Sequence, residues 1–137
     1  MKFRPHLLAA VSLALLGPAA FAAEQPAAQS NSPEADASIY GESVMLPKQA
    51  SVCAERIAGY MPRFQHAYDA WHGLNAEHIA NGSKVIHDKA KAGGVDADAG
   101  MDKLGQADIE RLRKTSIEML AKHCDLILES MAPPATN

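Results

Sequence analysis

The chain has 137 residues, enough for one domain and too few for two, and 47% of them are hydrophobic. Its formal net charge is −3, from 13 Lys and Arg against 16 Asp and Glu, with no basic run. That balance argues against nucleic-acid binding and against a basic helix lying on a membrane surface.

The first residues have the parts of a secretory leader in order. Lys2 and Arg4 are positive, Leu7 to Leu16 is apolar except for Ser12, and Gly17-Pro18 ends the run. Ala20-Phe21-Ala22 supplies the small residues of a cleavage site, so cleavage is expected after Ala22, with Ala23 the near alternative. The apolar run is shorter than the roughly 20 residues a membrane span needs. Cleavage leaves no membrane span and a periplasmic or secreted protein. Loss of Lys2 and Arg4 takes the cations from 13 to 11 against 16 acids, so the mature charge is −5.

Residues 23–39 are Ala, Pro, Ser, Gln, Asn and acids, with too little apolar surface to offset ordering entropy, and read as a disordered tether. A single helical domain over residues 40–132 and a short disordered tail, 133–137, complete the expected organisation. Tyr40, Val44, Met45 and Leu46 form a small apolar patch that Pro47 closes.

From Gln49 to Gly82, apolar residues recur at steps of three or four: Cys53, Ile57, Tyr60, Phe64, Tyr68, Trp71 and then His78. Ser51 is the expected N-cap, with a start at Pro47 one turn earlier as the alternative, and Asn81-Gly82 is the expected stop. Pro62 interrupts the backbone bonding inside this pattern. Because the stripe keeps phase across it, a kink is expected, the alternative being one helix that ends near Tyr60 and another that starts there. Ser83 to Ala92 reads as a short helix, Gly93-Gly94 as its end, and Val95 to Gly100 as a loop. Met101 to Met131 reads as one last helix with the stripe Leu104, Ile109, Leu112, Ile117, Leu120, Cys124, Ile127 and Met131. The fold class is therefore all-α: a disulfide-stapled antiparallel hairpin of two long helices, the first kinked at Pro62, or a small helical bundle.

Two cysteines in an exported chain imply one disulfide. Cys53 and Cys124 both sit on the centre of their stripes, one near the start of the first long helix and one near the end of the last. Closing a loop of about 70 residues stabilises a fold by roughly 4 kcal/mol in the chain-entropy model.

The remaining chemistry is sparse. His66, Asp69 and His72 have partial metal-ligand spacing, but no His-x-x-x-His pair exists. A non-covalent haem would draw on Met61, His78 or His123, though covalent attachment lacks its Cys-x-x-Cys-His motif. The acidic stretch Asp96 to Asp102 fails the register of a calcium loop and reads as a turn and helix start. No nucleophile elbow or phosphate loop is present. The aromatic series Tyr60, Phe64, Tyr68 and Trp71 reads first as core and second as the lining of a small binding groove beside Pro62.

The expected function is that of a non-enzymatic exported module, without cofactor, that binds a protein or peptide partner. The alternative is a small metal- or haem-binding protein of the cell envelope. Leu126, Ile127 and Leu128 with Met119 and Leu120 make the last helix apolar over more than one stripe. A monomer in which residues 40–46 fold back over this end is expected, with a homodimer as the other way to cover it.

Overall fold

The computed structural model describes residues 32–133. The expected leader, residues 23–31 of the expected tether and residues 134–137 of the expected tail lie outside the described residues.

Ser32 opens the first helix, α1 (Pro33–Arg56), by accepting a hydrogen bond from the Ala35 N–H at 3.2 Å. Pro33 stands where a helix has no partner for an N–H, and Glu34 and Asp36 meet the positive end of the helix dipole. Residues 33–39 are thus helical rather than part of a tether, and the helix starts well before Gln49. Ser51, the expected cap, lies inside it and donates to the Lys48 carbonyl at 2.7 Å.

Pro47 also lies inside α1 and does not end it. Having no N–H, it leaves the carbonyl of Ser43, four residues earlier, without its helical donor. The Tyr68 hydroxyl donates to that carbonyl at 2.8 Å. A side chain from another helix therefore repairs the gap, which is why a proline is tolerated in mid-helix.

The break comes at the end of α1, well after Pro47 and about one turn before Pro62. Ile57 is extended, and Gly59 takes φ +72°, the left-handed region where glycine carries no Cβ penalty. Helix α2 (Tyr60–Leu74) then folds back along α1, with Pro62 in its first turn. The expected kink is replaced by the alternative, two helices. The stripe keeps phase because Ile57 and Tyr60 both turn toward the same core.

Asn75 alone separates α2 from α3 (Ala76–Ala92), so Gly82 is not a stop and Ser83 is not a cap. Gly82 is buried because α3 approaches α1 most closely there: a Cβ would overlap the Asp36 carbonyl and lie 2.8 Å from the Tyr40 Cβ. Gly93 and Gly94, the latter at φ +69°, end α3 as the sequence suggests.

Asp96 caps α4 (Ala97–Arg113) by accepting from the Ala99 N–H at 3.0 Å, so the helix starts four residues before Met101. The expected single last helix is two. Thr115 Oγ1 donates to the Arg111 carbonyl, Arg56 donates to the Thr115 carbonyl at 2.8 Å, and Ser116 caps α5 (Ile117–Ser130). These bonds turn the chain between Lys114 and Ser116, which periodicity alone does not reveal.

The result is a small helical bundle, with five helices among the described residues rather than a two-helix hairpin, and every other one of these helices packed on α1. Its core joins Ala50, Val52 and Cys53 to Tyr60, Phe64 and Trp71, with Leu112 from α4 and Leu120, Cys124 and Ile127 from α5. Leu104 and Ile117 leave their expected stripe and are 65% and 48% exposed. The expected fold-back over the last helix does not occur: residues 40–46 are part of α1, Leu46 joins the core that holds Ile127 and Met131, and Met119 and Leu126 remain 57% and 62% exposed. No helix among the described residues is long and apolar enough to cross a membrane.

Candidate functional site

Cys53 and Cys124 form the disulfide, with Cα atoms 5.9 Å apart across 71 residues of chain. The aromatic residues that were candidates for a groove begin beside it at Tyr60 and run away from it along α2. Tyr60, Phe64, Tyr68 and Trp71 follow one another along α2, with ring centroids 6.3, 5.3 and 5.9 Å apart. Tyr60, Phe64 and Trp71 are buried and Tyr68 is half-buried. The Tyr60 hydroxyl donates to the Cys124 carbonyl at 3.0 Å, and burial, eased by Arg63 and reinforced by Asp125, pushes its pKa up to about 12. Tyr60 and Tyr68 thus use their hydroxyls to satisfy buried carbonyls of α5 and α1, and the ladder is packing within the bundle.

Two concave surfaces stand out, and neither lies on that ladder. The first, of about 300 Å³, is lined by Asp36, Glu77, His78 and Asn81 at the start of α1 and α3. His78 Nδ1 lies 2.6 Å from Asp36 Oδ1, and both side chains are largely covered. This is how a carboxylate orients an imidazole in acid–base sites. Chemistry of that type also needs a nucleophile or a held water. Among the described residues, no Ser, Thr or Cys side chain hydrogen-bonds His78, and the pair ties α1 to α3.

The second, of about 510 Å³, is a shallow groove between α1 and α4, lined by Met45, Gln49, Leu104, Ala107, Asp108 and Arg111. The two helices run in the same sense: Lys48 meets Asp102, Gln49 meets Asp108 and Glu55 meets Arg113. Their polar side chains pair with one another along the rim. Burial raises the pKa of Asp108, but hydrogen bonds from Arg111 and Gln49 outweigh it and hold the carboxyl below its ordinary range. The groove floor is left apolar. Sequence reasoning missed this surface because it assigned Leu104 to the core stripe and ended the patch of Met45 at Pro47. The available signal was Leu104-Ala107-Arg111, spaced three and four apart and one face round from Leu112.

The histidines do not converge. His66, Asp69 and His72 are exposed along α2, and no group of three His, Cys, Asp or Glu able to hold a metal occurs among the described residues. Met61, His78 and His123 stand on α2, α3 and α5, and neither concave surface is lined by two of them. His123 is half-buried with no hydrogen bond to Nε2, and burial pushes its pKa down despite Asp108 nearby.

Comparison of the chain with family models, with characterised proteins and with solved structures returns no match.

Proposed function

We propose that the protein is an exported, non-enzymatic binding module that takes an amphipathic helix of a partner protein into the groove between α1 and α4. The observation that carries this reading is the apolar floor of Met45, Leu104 and Ala107, with Leu104 65% exposed, inside a rim whose charges already pair among themselves. A rim so neutralised gives little attraction to a highly charged segment. Its affinity comes from apolar contact, and two helices with a furrow between them match a third helix bearing apolar residues at i, i+3 or i+4, and i+7. Export is supported by the leader-like first residues and by the disulfide, a bond that persists in oxidising compartments. That compartment is the periplasm or the exterior.

The test is site-specific photo-crosslinking in cells. A photoreactive residue at Leu104 or Ala107 should give one adduct of the same mass, and Met45→Asp should abolish it. The same residue at Leu74, 75% exposed but outside the groove, should not give it. Equal adducts from positions 74 and 104, or an adduct of twice the protein's own mass, would replace this reading with non-specific contact or self-association.

A further inference from the structure

Ser83, His87 and Asp98 line up as a hydroxyl, an imidazole and a carboxylate. Ser83 Oγ lies 3.4 Å from His87 Nδ1, and Asp98 Oδ1 lies 3.2 Å from His87 Nε2. The arrangement has the parts of a catalytic triad, and its hydrogen bonding excludes one. His87 Nδ1 is only 2.7 Å from the Ser83 backbone carbonyl, an acceptor that requires a proton on that nitrogen. A protonated Nδ1 cannot take a proton from the Ser83 hydroxyl.

The same geometry favours the charged ring. A neutral imidazole has one N–H and one lone pair. With the proton on Nδ1, the Nε2 lone pair would face the Asp98 carboxylate. With the proton on Nε2, the Nδ1 lone pair would face the Ser83 carbonyl. Only the imidazolium, with both nitrogens donating, satisfies both partners. Asp96 and Asp98 at the start of α4 and Asp88 on α3 supply the surrounding negative charge, and the Tyr40 ring of α1 lies 6.1 Å away. The Ser83 carbonyl first, and Asp98 and Asp96 after it, hold the ring above its ordinary pKa although it is exposed.

What the ring holds is a sparsely covered helix start. Gly93 and Gly94 precede α4, and Gly100 and Gly105 lie inside it. From Asp98 to Leu104 only Met101 is even partly covered. Such a segment opens at low cost, because it has few buried contacts and a high loss of backbone entropy to offset. Besides its cap, the described side-chain ties of this stretch are His87 to Asp98 and Lys48 to Asp102.

We propose that His87 is a proton-dependent clasp: protonated, it pins the N-terminal turns of α4 to α3, and deprotonated, it releases them. The device belongs to the helix itself and does not depend on what the groove binds.

Sign and window follow from linkage. A histidine with a raised folded pKa contributes its stabilisation below the ordinary value of about 6.5 and loses it as pH rises through the folded value. The test uses the oxidised full chain and two NMR readouts, the ring shifts of His87 and amide-exchange protection at residues 100–104, from about pH 5 to 9. Protection there should fall about two- to fivefold as His87 loses its proton, the range of an exposed ion pair, while protection at Leu120 and Ile127 stays constant. Asp98→Asn should lower the His87 pKa and remove the pH step, and since Asp98 is exposed this variant keeps the fold even if His87→Gln does not. A His87 that titrates at or below its ordinary value, or a pH step that survives Asp98→Asn, overturns the clasp.

Discussion

The pairing of Pro47 with Tyr68 makes a quantitative prediction about how a proline survives inside α1. Proline in a helix interior costs about 3 kcal/mol, part of it from the lost hydrogen bond and part from ring–carbonyl repulsion. Here the orphaned Ser43 carbonyl receives the Tyr68 hydroxyl at 2.8 Å, and Ser43 itself is buried. Tyr68→Phe leaves that carbonyl without a donor, at a cost of about 1–2 kcal/mol. Pro47→Ala restores the N–H, and should stabilise the protein by about 1–2 kcal/mol, less than the full helix-interior cost because the Tyr68 bond already offsets part of it. In the Pro47→Ala background the Ser43 carbonyl has its helical donor again, so Tyr68→Phe should cost about 0.5 kcal/mol or less. The coupling between the two substitutions, about 1 kcal/mol, is measurable by urea denaturation of the four variants with the disulfide intact. If Tyr68→Phe costs the same in both backgrounds, the hydroxyl is not standing in for the missing N–H and the account of Pro47 fails.

Four further outcomes can be checked by the same denaturation experiments. Gly82→Ala should destabilise by about 1–3 kcal/mol, because the new Cβ meets the Asp36 backbone and Tyr40, whereas Gly41→Ala and Gly73→Ala, with no atom within 4 Å, should gain about 0.5–1 kcal/mol. Trp71→Ala should cost about 3–5 kcal/mol, since the ring is buried; a cost under about 1 kcal/mol would mark it as exposed. Replacing Cys53 and Cys124 together by Ala should remove about 4 kcal/mol, and thiol titration of the unreduced protein should find no free thiol. His123 has its folded pKa depressed by burial, so the unfolded chain binds its proton more readily, and stability should fall as pH drops through about 6.5; His123→Leu should flatten that limb.

The disulfide was legible because two independent patterns agreed on it, first residues with the composition of an export leader and the central place of each cysteine in an apolar stripe. The buried residues of α2 were legible for the same reason, a stripe with helical spacing from Tyr60 to Trp71. The first half of α1 was not. Its composition between Pro33 and Ile39 is that of a linker, and what makes it helical is packing that the local sequence does not contain: Gly82 against Asp36 and Tyr40, and His78 against Asp36. The Ser32-Pro33-Glu34 start was nevertheless a helix signal. The break at Lys114 to Ser116 was hidden by a stripe that runs on through it, and Ser116 ahead of Ile117 was the overlooked cap. The groove was hidden by both errors at once, since its two walls belong to a helix read as beginning at Gln49 and to one read as beginning at Met101.

Placing the disulfide in this fold rather than in a two-helix hairpin changes what it does. In a hairpin it would join the free ends of two helices. Here Cys53 lies three residues before the end of α1, and Cys124 lies in the middle of α5, whose carbonyl at that residue also accepts the Tyr60 hydroxyl. The bond therefore fixes three elements at one corner: the last turn of α1, the first turn of α2 and the centre of α5. The junction where α3 gives way to α4 has two glycines and an exposed Val95, closed by backbone bonds such as Val95 N–H to the Ala90 carbonyl, and its side-chain tie across to α4 is His87 to Asp98. Unfolding free energy is consequently distributed unevenly along α4. Its C-terminal half is anchored by buried Leu112 and by Arg113 to Glu55, next to the disulfide corner, and its N-terminal half rests on His87 and Lys48. Leu104 stands where the loose half meets the firm one, so a helix that binds over Leu104 would also order the turns before it. Partner binding should then raise amide protection at residues 100–104 more than at Leu112. A bound state that protects the two regions equally would mean that α4 behaves as one rigid wall.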